Sequence, residues 1–316
     1  MIIAACLLLY SLLIIIAGPP VLDRLTRGGR APRFGVAAWL TAIATVLIGT
    51  GAAVIALVVQ FVAHGNHRQS LIASCVAQLR VIATGQTGIV AQIALLGLGL
   101  AAIVAMSVIA ARLARTFVGM RRRSHEHAEA VHVVGRRTAA PDVRVLDGDT
   151  PAAYCVSGRR SAIVVTSAAM AELDERQLDA VLAHERAHLA GHHPQIVAAL
   201  RGLAGAFPRL ALMTQGAEHV SRLLEMCADD IAARRHGREP LLAGLLALSG
   251  VAPAGALGAA DVAVLERAER LTEPSRADRM ITARCAAALT SAVTAILAGP
   301  VVIAALAASG VLMCGM

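Results

Sequence analysis

Residues 1–19, 36–63, 89–111 and 285–313 are almost uninterrupted runs of apolar side chains, each close to or above the ~20 helical residues that cross a bilayer. A chain with four such runs must place them in lipid or bury them against one another. Its mean hydropathy of +0.67 and 57% hydrophobic content leave too little polar surface for one water-soluble domain. The expected fold class is a membrane protein, mainly α, with four transmembrane helices and one polar α+β domain containing a small β-sheet. Its expected parts are a membrane domain over 1–111 with three spans, a polar domain over 112–284, and a fourth span with a short tail over 285–316. The first run has no basic residue ahead of it and no small-residue cleavage site, so it is expected to remain as a helix rather than leave as a signal peptide.

Arginines orient the spans, because positive charge in short loops stays on the cytoplasmic side. Arg24, Arg27, Arg30 and Arg33 follow the first run; Arg112, Arg115, Arg121, Arg122 and Arg123 follow the third; Arg276, Arg279 and Arg284 precede the fourth. The 64–88 loop carries only Arg68 and Arg80. This pattern predicts a multi-pass protein of the cell (plasma) membrane, with both termini and the 64–88 loop outside and the polar domain in the cytoplasm. All 29 basic residues are arginine and the net charge is +8; as a compositional bias this predicts no direct nucleic-acid partner. The six cysteines make no disulfide framework, since of all of them only Cys75 falls clearly in an outside loop.

Within the polar domain, 143–147 (VRVLD), 153–156 (AYCV) and 161–166 (SAIVVT) read as short strands separated by turn residues. Asp174 stands at a helix N-cap with Gln177 three residues on, and Leu178, Val181, Leu182 and Leu189 repeat at helical spacing, which predicts a helix over about 175–192. That helix carries His184-Glu185-Arg186-Ala187-His188, an HExxH sequence. Side chains four apart share a helical face, so both imidazoles can reach one ion while Glu185 approaches a water on it. One catalytic Zn2+ is expected, because such zinc takes three nitrogen or oxygen ligands and keeps a position open. Glu225, in Ser221-Arg222-Leu223-Leu224-Glu225-Met226-Cys227-Ala228-Asp229, is the expected third ligand. Asp229, four residues on, is expected to take the free ring N–H of a ligand histidine.

These residues resemble the gluzincin membrane peptidases, with HExxH on one helix and ExxxD on a later one. Ser221, Arg222, Glu225, Ala228 and Asp229 resemble the SRxxExxAD pattern of the HtpX and CAAX prenyl-protease branch, whereas the order of spans resembles the antirepressor peptidases related to the BlaR and MecR β-lactam sensors. The resemblance implies a zincin-like domain, His184, His188 and Glu225 as zinc ligands, and Glu185 as the base of peptide hydrolysis. The sequence departs from the sensors in having Ala228 where they have Cys directly before the Asp, and in showing no SxxK or KTG element after the last run, so direct acylation by a β-lactam is not expected. The implied function is a zinc-dependent endopeptidase that cleaves a transcriptional repressor; an HtpX-like quality-control peptidase and a non-hydrolytic receptor or scaffold are the alternatives. The implied partners are a protein substrate, the lipid bilayer, and a signal-sensing membrane partner or a second copy of the chain.

Four further residues, Tyr154, His219, Arg222 and His236, are by type candidates for transition-state or substrate contacts. His192 and His193 follow the HExxH helix and are expected to meet its dipole and solvent rather than the metal; Cys227 is expected to pack rather than react. The apolar segment 194–213 contains Arg201 and Arg209 and reads as a helix pair over the site, not as a fifth span. Substrate is expected to add as a strand along 161–166 or 153–156.

Overall fold

The computed structural model describes residues 2–64, 88–249, 259–272 and 276–308; Cys75 with almost all of its loop, and Cys314, lie outside the described residues. The helices before the polar segment's sheet are α1 (Ile2–Thr26), α2 (Pro32–His64) and α3 (Gly88–Val134). The sheet contains β1 (Arg136–Arg137), β2 (Val143–Leu146), β3 (Ala153–Val156) and β4 (Ala162–Thr166). There follow α4 (Ser167–Glu172), α5 (Glu175–Ala190), α6 (His193–Ala206), α7 (Ala211–His236), α8 (Arg238–Ser249), α9 (Ala259–Thr272) and α10 (Arg276–Ala308). Two compact units divide the chain: Met1–Gly18, Thr41–Leu113 and Thr294–Met316 form the first, Pro19–Leu40 and Ala114–Val293 the second.

Three described helices are long and apolar enough to cross a membrane, over Ile3–Thr26, Pro32–Ala56 and Met280–Ile303. The fourth expected span, 89–111, falls in the first half of the 47-residue α3, where most side chains lie outside those described. Leu9, Ile16, Ile48 and Val301 are more than half exposed, apolar surface that lipid would cover. Inside the first unit the Tyr10 hydroxyl is shared between the carbonyls of Ala295 and Ile296, 3.0 Å from each. Its ring lies so close over Gly299 that any Cβ there would come within 2.2 Å of it.

In the second unit the sheet order is β1-β2-β4-β3, with β2 and β4 parallel and the outer pairs antiparallel. Ala162 and Val164 of β4 pack with Ala128 and Val131 of α3, while Ile163 and Val165 face Leu182 of α5 and Ala169 of α4. Apolar residues on both faces are what a central strand needs. The 161–166 run is therefore internal and cannot accept a substrate strand; β3 is an edge.

Helix α5 begins as its sequence predicts. Asp174 accepts from the Gln177 backbone N–H at 2.8 Å and its own N–H reaches the Gln177 side chain at 3.1 Å, a reciprocal cap. The helix ends at Gly191. Arg186, inside HExxH, grips Asp142 with two hydrogen bonds of 2.7 and 3.2 Å, which ties the helix to the start of β2. On its other side Ala180 and Ala183 meet Ala232, Leu241 and Leu271 from α7, α8 and α9. Segment 194–213 supplies α6 and the start of α7; at 14 residues, α6 spans about 21 Å, well short of a ~30 Å hydrocarbon core. Its Gly202 sits beside Thr116, Phe117 and Met120 of α3.

The α5–α8 crossing depends on Gly244, where a Cβ would stand 2.8 Å from Val181 Cγ2 and 3.3 Å from the Gln177 carbonyl. Gly244→Ala gains ~1 kcal/mol of helix propensity but overpacks a stiff β-branched neighbour, at a cost of ~1–3 kcal/mol. The substitution is expected to lower the thermal midpoint of the detergent-purified protein, and a raised midpoint would contradict this packing.

Candidate active site

Helix α5 presents His184, Glu185 and His188, and α7, packed across it, presents Glu225 and Asp229. His188 Nε2 lies 3.0 Å from His184 Nε2, and Glu225 Oε2 lies 3.5 Å from each of them. Three atoms so spaced lie on a circle of radius ~1.9 Å, slightly less than a zinc–ligand bond of ~2.0–2.1 Å. One ion can thus reach all three from just outside their plane, which is where a tetrahedral ion with a fourth open position must sit. The two ligand imidazoles are buried, whereas the Glu225 side chain keeps 40% of its exposure, so the centre is reached from the Glu225 side. These donors fit zinc in number, type and spacing.

The surroundings favour positive charge. Burial opposes charge on His184, yet Asp229 and Glu225 raise its pKa to about 9. Burial likewise opposes charge on Glu225, but His184 and His188 hold its carboxyl far below the usual range. Asp229, 1% exposed, lies 3.1 Å from His184 Nδ1, a close approach outside the alignment of a full hydrogen bond. A guanidinium that no motif signalled completes the cluster. Arg267 of α9 donates to both Asp229 oxygens at 2.8 and 2.6 Å and stands 3.3 Å from Glu225 Oε2 and 3.5 Å from His184 Nε2.

Burial raises the pKa of Glu185, and the Cys155 thiol of β3 hydrogen-bonds it. Burial and Glu185 together push that thiol to about 12, so it remains S–H. Because side chains alternate along a strand, Tyr154 takes the other face of β3, where it stacks on His127 with centroids 6.3 Å apart. The expected role of Tyr154 at the metal is therefore corrected.

His219 and Arg222 are also engaged elsewhere. The His219 ring stacks on Trp39 at 5.1 Å and pairs with Asp23 at 3.4 Å. Arg222 pairs with Glu266 at 2.5 Å and donates to the Thr26 and Arg27 carbonyls. His236 ends α7, eleven residues past Glu225, or ~16 Å along the axis. None of these three is placed at the metal ligands. Cys227 is buried and packed, with burial raising its thiol to about 11. His193 departs from expectation: it is buried, not solvated, and its Nδ1 lies 2.9 Å from His188 Nδ1.

Removing Arg267 would strand Asp229 as a buried unpaired charge, a change that costs ~3–5 kcal/mol. Arg122→Ala would break only the exposed pair with Glu126, worth ~0.3–0.5 kcal/mol. Arg267→Ala is expected to lower the thermal midpoint in detergent far more than Arg122→Ala; equal effects would contradict the buried pairing.

The sequence model of Peptidase family M48 matches residues 120–287, a segment that contains His184, Glu185, His188, Glu225, Asp229 and Arg267. No curated protein and no solved structure matches the chain. With the matched segment covering more than half of its residues, the chain belongs to peptidase family M48, a family of zinc metallopeptidases.

Proposed function

We propose that this chain is a membrane-embedded zinc endopeptidase in which His184, His188 and Glu225 hold one Zn2+ and Glu185 moves the proton. The observation that carries the proposal is the ligand triangle of 3.0, 3.5 and 3.5 Å with Glu185 next in sequence to one corner. Zinc held there supplies a Lewis acid that polarises a peptide carbonyl and acidifies a water. Glu185 accepts the proton of that water and returns it to the leaving nitrogen; its burial-raised pKa brings it nearer to neutral pH, where both transfers are efficient. The Cys155 S–H holds the carboxylate in place, and Asp229 orients His184.

Edge strand β3 is the proposed substrate rail. It pairs only with β4, and its Cys155 touches Glu185, so a peptide added ~4.8 Å further out passes beside the base.

The arginine pattern supports a cytoplasmic site at the plasma membrane, and the order of apolar runs supports regulatory cleavage of a repressor under control of a membrane partner or second copy. Ser221, Arg222, Glu225, Ala228 and Asp229 favour the second reading, an HtpX-like quality-control peptidase.

Glu185→Gln is expected to retain zinc and lose roughly 10²–10⁴-fold in hydrolysis of a fluorogenic casein, whereas His188→Ala loses zinc as well. Phenanthroline should abolish wild-type activity and added zinc restore it. In cells, one full-length protein accumulating with Glu185→Gln supports the repressor reading, and many membrane proteins support quality control. Undiminished hydrolysis by Glu185→Gln would end the peptidase assignment.

A further inference from the structure

Each proposed ligand imidazole needs its second ring nitrogen held, because that partner fixes which nitrogen carries the proton and how the ring is aimed. Asp229 stands beside Nδ1 of His184. The Nδ1 of His188 faces neither carboxylate nor backbone carbonyl among its described hydrogen bonds; it faces His193 Nδ1 at 2.9 Å.

The chain is built to put that ring there. Gly191 ends α5, and a Cβ on it would lie 2.3 Å from His193 Nε2 and 2.5 Å from Cδ2, so only glycine leaves space for the imidazole. His192 adopts φ 52°, the sole non-glycine residue with positive φ among those described, a conformation that costs an L residue energy. Pro194 then starts α6 in its first turn. The reversal folds His193 back under His188, ring edge to ring face with centroids 4.8 Å apart, and leaves it 7% exposed.

We propose that His193 is the positioning residue of His188. Nε2 of His188 must keep its lone pair for the ion, so its proton is on Nδ1. That N–H donates to His193 Nδ1, which accepts only while His193 is neutral and protonated on Nε2. The inference rests on the metal reading of His184, His188 and Glu225, and it adds the partner that aims the second histidine.

The test uses the full chain in detergent and zinc alone, with affinity read by competition against a chromophoric chelator and folding read by thermal midpoint. His193→Leu fills the space without an acceptor and is expected to weaken zinc binding by roughly 10–100-fold. His193→Asn offers an amide oxygen as acceptor and is expected to restore most of the affinity. Gly191→Ala, which keeps His193 but crowds its ring, should weaken binding like His193→Leu, and it decides the matter if His193→Leu does not fold. Unchanged affinity in His193→Leu, or in Gly191→Ala where it is the deciding variant, overturns the role. So does a loss in His193→Asn as complete as that of His184→Ala, which would make His193 a ligand. Absence of zinc from the wild type would instead overturn the metal centre itself, and this role with it.

Discussion

The second unit is organised around a carboxylate that water cannot reach. Asp229 is 1% exposed, and an ion taken so far from water is tolerated only when its lone pairs are matched by opposite charge at close range. Arg267 supplies that match through a two-pronged contact, and Asp229 in turn approaches His184. One side chain from each of α5, α7 and α9 therefore meets at a single point. A shift of any of these helices would break a charge-assisted contact as well as apolar packing, so the spacing of the metal ligands is locked by electrostatics in addition to the alanine-rich seam behind them.

The same two helices hold the turn between α1 and α2. Arg222 of α7 donates to the carbonyls of Thr26 and Arg27, which the end of a helix leaves without partners. Arg270 of α9 donates to the Gly29 carbonyl at 3.1 Å and pairs with Asp230 at 2.7 Å. Gly29 has φ +57° and lies directly on Met226, whose sulfur would be 2.4 Å from any Cβ. Both conditions demand glycine. Glu225 and Asp229 are thus flanked along α7 by Arg222, Met226 and Asp230, all engaged with the turn or its clamp. A displacement of the turn would be felt first at the metal-binding stretch of α7.

What the sequence revealed follows from which contacts are local. HExxH and ExxxD were legible because helical periodicity alone puts each set on one face, and the Asp174 cap was legible because its partner is three residues away. Arg267 was not, since its helix has no metal-binding pattern and meets Asp229 only through tertiary packing. His193 was missed because the usual reading of a histidine past a helix end is solvent, and the reversal through His192 that buries it is visible only in the backbone. Tyr154 and Cys155 are neighbours, so only strand parity could say which one meets Glu185. The 161–166 run did carry a usable signal, because Ala162, Ile163, Val164 and Val165 in succession fit a strand covered on both faces rather than an edge.

The charge balance of the site argues for its occupant independently of the motifs. Glu185, Glu225 and Asp229 bring three carboxylates together, and Arg267 is the single guanidinium within reach of the ligand atoms among the described residues. Two negative charges remain on groups of which Asp229 is wholly shielded, a balance that a divalent cation meets in full. Without such an ion the cluster draws a proton onto His184, which its carboxylate neighbours raise to about 9 against the opposing effect of burial. Zinc entering the triangle has to displace that proton. The carboxylates that make the centre attractive to a cation also make protons compete for it, and the aim of the two histidines then decides how well the ion wins.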